Sequence, residues 1–92
     1  MKIPTRIKIC ALWYDVKQVN PSEIDSESFH AGDCDDHTQT IRISKTMSQE
    51  MKEVTLLHEI LHAIDIQLDH DLVELLSQAL YQVLKENKLL SE

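Results

Sequence analysis

His58-Glu59-Ile60-Leu61-His62 puts two imidazoles and a carboxylate within five residues. On a helix, positions four apart share a face, so His58 and His62 can grip one ion with Glu59 beside them. Those are the elements of zinc-assisted hydrolysis: two ligands, and a base for the water that the metal acidifies. With five His and eight Glu in 92 residues, shuffled order yields H-E-x-x-H about 2% of the time. The motif therefore has to be weighed by its surroundings.

A catalytic zinc takes three protein ligands and leaves one position open for water. The candidates for the third ligand are Glu74, His70, Asp65 and His37. Glu74 has the best placing. It falls about one turn into a second helix, level with His62 if the two helices run antiparallel. It also interrupts the apolar run Leu72-Val73-Glu74-Leu75-Leu76, where a buried carboxylate needs a partner. A solvent-facing glutamate on an amphipathic helix fits the same position. His70 lies eight residues after His62, but sites that use a nearby third histidine reverse the chain at a glycine, and residues 63–69 contain none. Asp65 suits solvent, or a hydrogen bond to a ligand histidine. His30 and His37 fall in loops and read as surface residues.

The elements that must position these groups are legible in outline. Ser48 is a helix cap, and Glu50 sits in the first turn, where the dipole favours an acid. Met51, Val54, Leu57, Leu61, Ile64 and Leu68 recur at helical spacing, which predicts one helix to Leu68, about 19 residues or ~28 Å. Asp69 caps a second helix, with Leu72, Leu75, Leu76, Ala79, Leu80, Val83 and Leu84 as its expected buried side. The short connection makes the pair antiparallel. Upstream, Ile3 to Val19 reads as one strand, with Ile7, Ile9, Ala11 and Trp13 alternating against Arg6, Lys8 and Cys10. Asn20-Pro21-Ser22 ends it, and residues 21–30 read as an acidic loop. Ala31 to Ser44 reads as a hairpin whose second strand, Thr40–Ser44, either presents an edge to an extended peptide or is purely structural. The expected architecture is one α+β domain over 1–92: a short antiparallel sheet, made of the first strand plus the hairpin, on two antiparallel C-terminal helices.

Composition narrows the function classes. A net charge of −7 opposes steering toward nucleic acid or an anionic membrane. There is no 18-residue apolar run and no apolar leader. Two cysteines without a C-x-x-C suit a reducing, cytoplasmic setting, with a single disulfide left open. Cys34 is flanked by Asp33, Asp35 and Asp36, which raise a thiol pKa and oppose a thiolate on the metal; a small half-buried cysteine is the simpler reading.

Val54-Thr55-Leu56-Leu57-His58-Glu59-Ile60-Leu61-His62-Ala63-Ile64, followed by Leu72 to Leu84, resembles the small phage and prophage metallopeptidase-like proteins of the ImmA/IrrE family, gluzincins with an HExxH zinc helix. Cys34 to Ser44 resembles the hairpin that leads into that helix. The similarity covers about residues 31–87. It implies a minimal zincin-like domain and takes the third zinc ligand from a helical E-x-x-A-[ND]-x-[FL] pattern, which falls here on Glu74. Ser77 stands for the alanine of that pattern, and Gln78 for the Asn or Asp that can orient a zinc-bound histidine, here His58. Tyr81, two turns beyond Glu74, is a candidate oxyanion donor, although core-edge packing suits a tyrosine there equally.

The expected protein is thus a Zn²⁺-dependent metallo-endopeptidase. His58, His62 and Glu74 serve as ligands, Glu59 as base, and Gln78 and Tyr81 as supporting groups. The resemblance points to a regulator of a phage or other mobile element as the protein substrate. Neither nucleic acid nor membrane is expected as a partner, and a monomer is the default. The alternatives are a zinc-stabilised binding module without turnover and a zinc hydrolase for a small substrate.

Overall fold

The computed structural model describes residues 1–24 and 31–90. His30 and most of the expected acidic loop lie outside the described residues. Strands β1 (Arg6–Ile9) and β2 (Leu12–Val19) pair antiparallel, Ile7 opposite Tyr14 and Lys8 opposite Trp13. The stretch read as one strand is therefore a hairpin. Its turn residues, Cys10 and Ala11, have φ of 49° and 72°, as a two-residue hairpin turn of the type favoured by strand twist requires. Asn-Gly would have announced that turn, and neither residue is present. The turn also reverses the phase of the alternation. Ile9, Tyr14 and Val16 are buried on one face, while Trp13 lies on the other, with the Arg6 guanidinium 4.4 Å from its ring.

After a 3-10 turn at Pro21–Glu23 come β3 (Gly32–Asp35) and β4 (Thr40–Ser44), an antiparallel hairpin as expected. The sheet order is β1-β2-β4-β3, and β2 and β4 run parallel. The sheet is thus mixed, not purely antiparallel. A two-residue hairpin returns β2 to the start of the sheet, and the chain must cross over before β4 can lie beside it. The crossover also makes β4 an interior strand. Among the described residues, the edge strand beside the helices is β3, not Thr40–Ser44.

Helix α1 (Gln49–Ile64) starts where expected: the Ser48 side chain accepts from the Met51 N–H at 3.2 Å. Leu56, Ile60 and Ala63, spaced four and three apart, pack on the sheet core of Ile9, Tyr14, Val16, Ile41 and Ile43. The helix is 16 residues long, four short of Leu68. Asp65 ends it by turning extended and accepting the Gln67 N–H on its own Oδ1 at 3.0 Å, a local bond that competes with the helical ladder.

Helix α2 (His70–Glu86) is capped by Asp69, which accepts from the Leu72 N–H. It packs chiefly on α1, and the sheet lies on α1's other side. The pair is antiparallel, since His58 meets Glu74, Glu53 meets Tyr81 and Glu50 meets Lys85. A helix resting on a single neighbour buries only a narrow strip. On α2 that strip is Val73, Ser77 and Tyr81. The expected buried side is largely outside: Leu72, Leu75, Leu76, Leu80 and Val83 are 41–64% exposed.

Glu53 is only 3% exposed. Tyr81 donates its hydroxyl to Glu53 Oε1 at 2.6 Å, and Gln49 Nε2 donates to Oε2 at 2.9 Å. Burial alone would raise this carboxyl, but the donors outweigh it and hold Glu53 below the usual glutamate range. Tyr81→Phe leaves a buried carboxylate oxygen without its donor, so chemical denaturation is expected to show a loss of about 1–3 kcal/mol with an unchanged denaturant slope.

Candidate metal centre

One wall of the centre is the middle of α1. His58 and His62 extend from adjacent turns, and their Nε2 atoms lie 3.0 Å apart. His70, the first residue of α2, completes a group of three. Its ring centroid is 5.0 Å from that of His58 and 5.7 Å from that of His62. One nitrogen from each ring lies within 4.8 Å of the others, close enough to bind one ion. His58 and His62 are partly buried and His70 is exposed.

Glu74 approaches this group from behind. Its Oε2 lies 3.2 Å from His58 Nδ1, the nitrogen opposite the one that faces His62. Its Oε1 accepts from Gln78 Nε2 at 2.9 Å. Gln78 therefore reaches Glu74 rather than a histidine. Glu74 is level with the motif, as antiparallel packing predicts, but it contacts the back of one ring rather than the point where three rings converge. Tyr81 does not line the cleft; its hydroxyl is occupied by Glu53, with Lys85 Nζ donating to it at 3.0 Å. Asp65 is exposed and caps α1. His37 is exposed in the β3–β4 turn, where its N–H donates to Asp35.

The second wall is the edge strand β3. Between it and the helices lies a cleft of about 490 Å³, whose lining includes Gly32, Cys34, Val54 and Ile66 as well as the three histidines and Glu59. Gly32 is required by this closeness. A Cβ there would fall 2.7 Å from Thr55 Cγ2, 2.9 Å from the Arg42 carbonyl oxygen and 3.4 Å from Glu59 Oε2. Next to Gly32, Asp33 forms a two-pronged ion pair with its cross-strand partner Arg42.

Glu59 is 5% exposed. Burial, and then the nearby charges of Asp33 and Glu74, push its carboxyl up to about 8. Burial also lowers His58 and His62, and the crowding of imidazoles adds to it through His62 and His70 for His58 and through His70 for His62. Neutral rings keep the lone pairs that a metal needs. Cys34 is pushed up to about 12 by burial and then by Asp36, whose Oδ1 accepts from its Sγ at 3.6 Å. Cys34 is partly buried, as its sequence predicts, and Cys10 and Cys34 are both free.

Sequence reasoning set His70 aside for want of a glycine after His62. Asp65 does the work of that glycine, and an aspartate able to form an Asx turn near a helix end was the available signal. No protein-family model, curated protein or solved structure matches this chain.

The raised Glu59 pKa fixes the sign of one pH dependence. In chelated protein, Glu59 stays protonated up to about pH 8 in the folded chain and ionises near 4.5 when unfolded. Its contribution to stability is complete below about 4.5 and is lost as pH rises through 8. Glu59→Gln cannot ionise. The stability of the Gln variant relative to the wild type is therefore expected to rise between pH 5 and pH 8, as measured by urea denaturation at each pH.

Proposed function

We propose that this protein is a zinc-dependent metallo-endopeptidase with a minimal zincin-like domain. The observation that carries this reading is the convergence of His58 and His62 beside a buried Glu59 in one cleft. The fit to zinc is geometric: two nitrogens at 2.0–2.1 Å from a tetrahedral ion lie about 3.3 Å apart, against 3.0 Å between the facing Nε2 atoms. The sequence resemblance to the ImmA/IrrE family supports the same chemistry independently of the geometry.

In this reading the histidine cluster holds the ion, and bound zinc supplies a water acidified toward neutrality and a Lewis acid for the carbonyl. Glu59 takes the water proton on its carboxylate and returns it to the leaving amine. The substrate is a protein segment in extended conformation. The substrate strand would pair along β3, the edge strand among the described residues, and Gly32 and Cys34 of that strand line the cleft. Val54 and Ile66 offer apolar contacts on the helical side. A regulator of a mobile element acted on in the cytoplasm is the target suggested by the resemblance.

Purified protein is expected to carry one zinc per chain by elemental analysis and to melt at a lower temperature after chelation. Glu59→Gln should retain that zinc yet cleave a peptide library ~10²–10⁴-fold more slowly. If the Gln variant keeps full biological effect in cells, the zinc serves a binding module and the peptidase reading is wrong.

A further inference from the structure

We infer that His70 is the third metal ligand and that Glu74, held by Gln78, is a positioning residue for His58. The inference rests on the reading of this site as a zinc centre but reverses the roles that the family pattern gives to these two residues. Three observations carry it.

First, the nitrogens of His58, His62 and His70 converge within 4.8 Å. The His62 and His70 rings are nearly parallel, at 17°, and that of His58 stands at 63° to each. Second, Glu74 takes the wrong nitrogen for a shared metal. Oε2 lies on His58 Nδ1, whereas Nε2 of the same ring faces His62. A carboxylate at Nδ1 holds the proton there and leaves the Nε2 lone pair for the ion, so it fixes both tautomer and ring orientation. Third, the other Glu74 oxygen accepts from Gln78 Nε2 at 2.9 Å. Both carboxylate oxygens are engaged, and the chain Gln78–Glu74–His58 runs along one face of α2 into α1.

The exchange changes the chemistry of the site. Two histidines and a glutamate leave a bound zinc with one net positive charge, whereas three neutral histidines leave two. A three-nitrogen set also selects for borderline metals over the hard cations that prefer oxygen. The extra positive charge would face Glu59 and Asp36 across the cleft.

Zinc and cobalt titration of chelated protein distinguishes the two ligand sets. His70 is exposed and the Glu74 side chain is 51% exposed, and circular dichroism of each metal-free variant checks the fold. His70→Ala and His70→Gln are expected to weaken zinc beyond the 10–100-fold range typical of outer-shell changes, and to shift the visible absorption bands of bound Co²⁺. Glu74→Ala should weaken zinc about 10–100-fold and leave the cobalt band positions in place. Glu74→Gln, which can still accept from Nδ1–H, should recover part of that loss. The inference is overturned if Glu74→Ala abolishes binding or moves the cobalt bands while His70→Ala costs less than about tenfold; zinc bound by the wild type would leave the peptidase reading standing. Wild-type protein that takes up no zinc would overturn both.

Discussion

The buried hydrogen bond between Tyr81 and Glu53 sets the register on which the rest of the site depends. A carboxylate removed from water needs its donors, and α2 supplies one only where Tyr81 meets Glu53. One turn or more away on each helix, the same register brings Glu74 to His58, and beyond the other end it brings Lys85 to Glu50. Sliding α2 by one residue would lose the buried bond. Ser77, fully buried between the two contacts, lets the helices approach closely and returns its hydroxyl to the Glu74 carbonyl at 3.1 Å. The histidine cluster is thus held by a polar contact outside it, made by residues that do not line the cleft.

The cleft combines opposed electrostatic demands. Asp33, Asp36, Glu59 and Glu74 lie along it, in a chain already at −7. Burial of Glu59, and then the charges of Asp33 and Glu74, disfavour another negative charge, which is why that carboxyl is pushed up. A cation among the histidines reverses the penalty. The bidentate Arg42–Asp33 pair already neutralises one of the four acids, and Tyr14 donates to Asp36 at 3.2 Å. With Glu59 held protonated in the metal-free cleft, the residual negative potential is concentrated at Glu74, beside His58. An acidic pocket around neutral imidazoles is an environment in which a divalent ion gains from both ligand bonds and long-range charge.

What the sequence disclosed was what local chemistry determines. Ser48 and Asp69 cap their helices as their side chains require, the β3–β4 hairpin lies where its alternation puts it, and His58, Glu59 and His62 share a helix as their spacing demands. What it concealed depended on partners remote in sequence. The parallel pairing of β2 with β4 has no local signature. The Cys10-Ala11 turn uses residues that rarely adopt positive φ, so strand pairing rather than turn chemistry decides it. The leucine stripe of α2, expected to be its buried side, is largely exposed, because an apolar stripe does not say which neighbour covers it. Only one helix is available, and the narrow strip of Val73, Ser77 and Tyr81 outcompetes the leucines because it satisfies Glu53.

The placing of His70 follows from the least conspicuous of these local decisions. Had α1 continued to Leu68, as its apolar spacing allows, the chain would have run on for another ~6 Å at 1.5 Å per residue before it could reverse. His70 would then have started its helix well beyond His62. Asp65 stops the helix at Ile64 instead. Its extended backbone, the N–H of Gln67 on its side chain and the N–H of Leu68 on its carbonyl fold the connection back within five residues. That reversal leaves the His70 ring stacked 5.7 Å from His62, and it gives the chain a third histidine without the glycine that such a turn ordinarily needs. The geometry of the three-histidine cluster is consequently set by a solvent-exposed aspartate outside it.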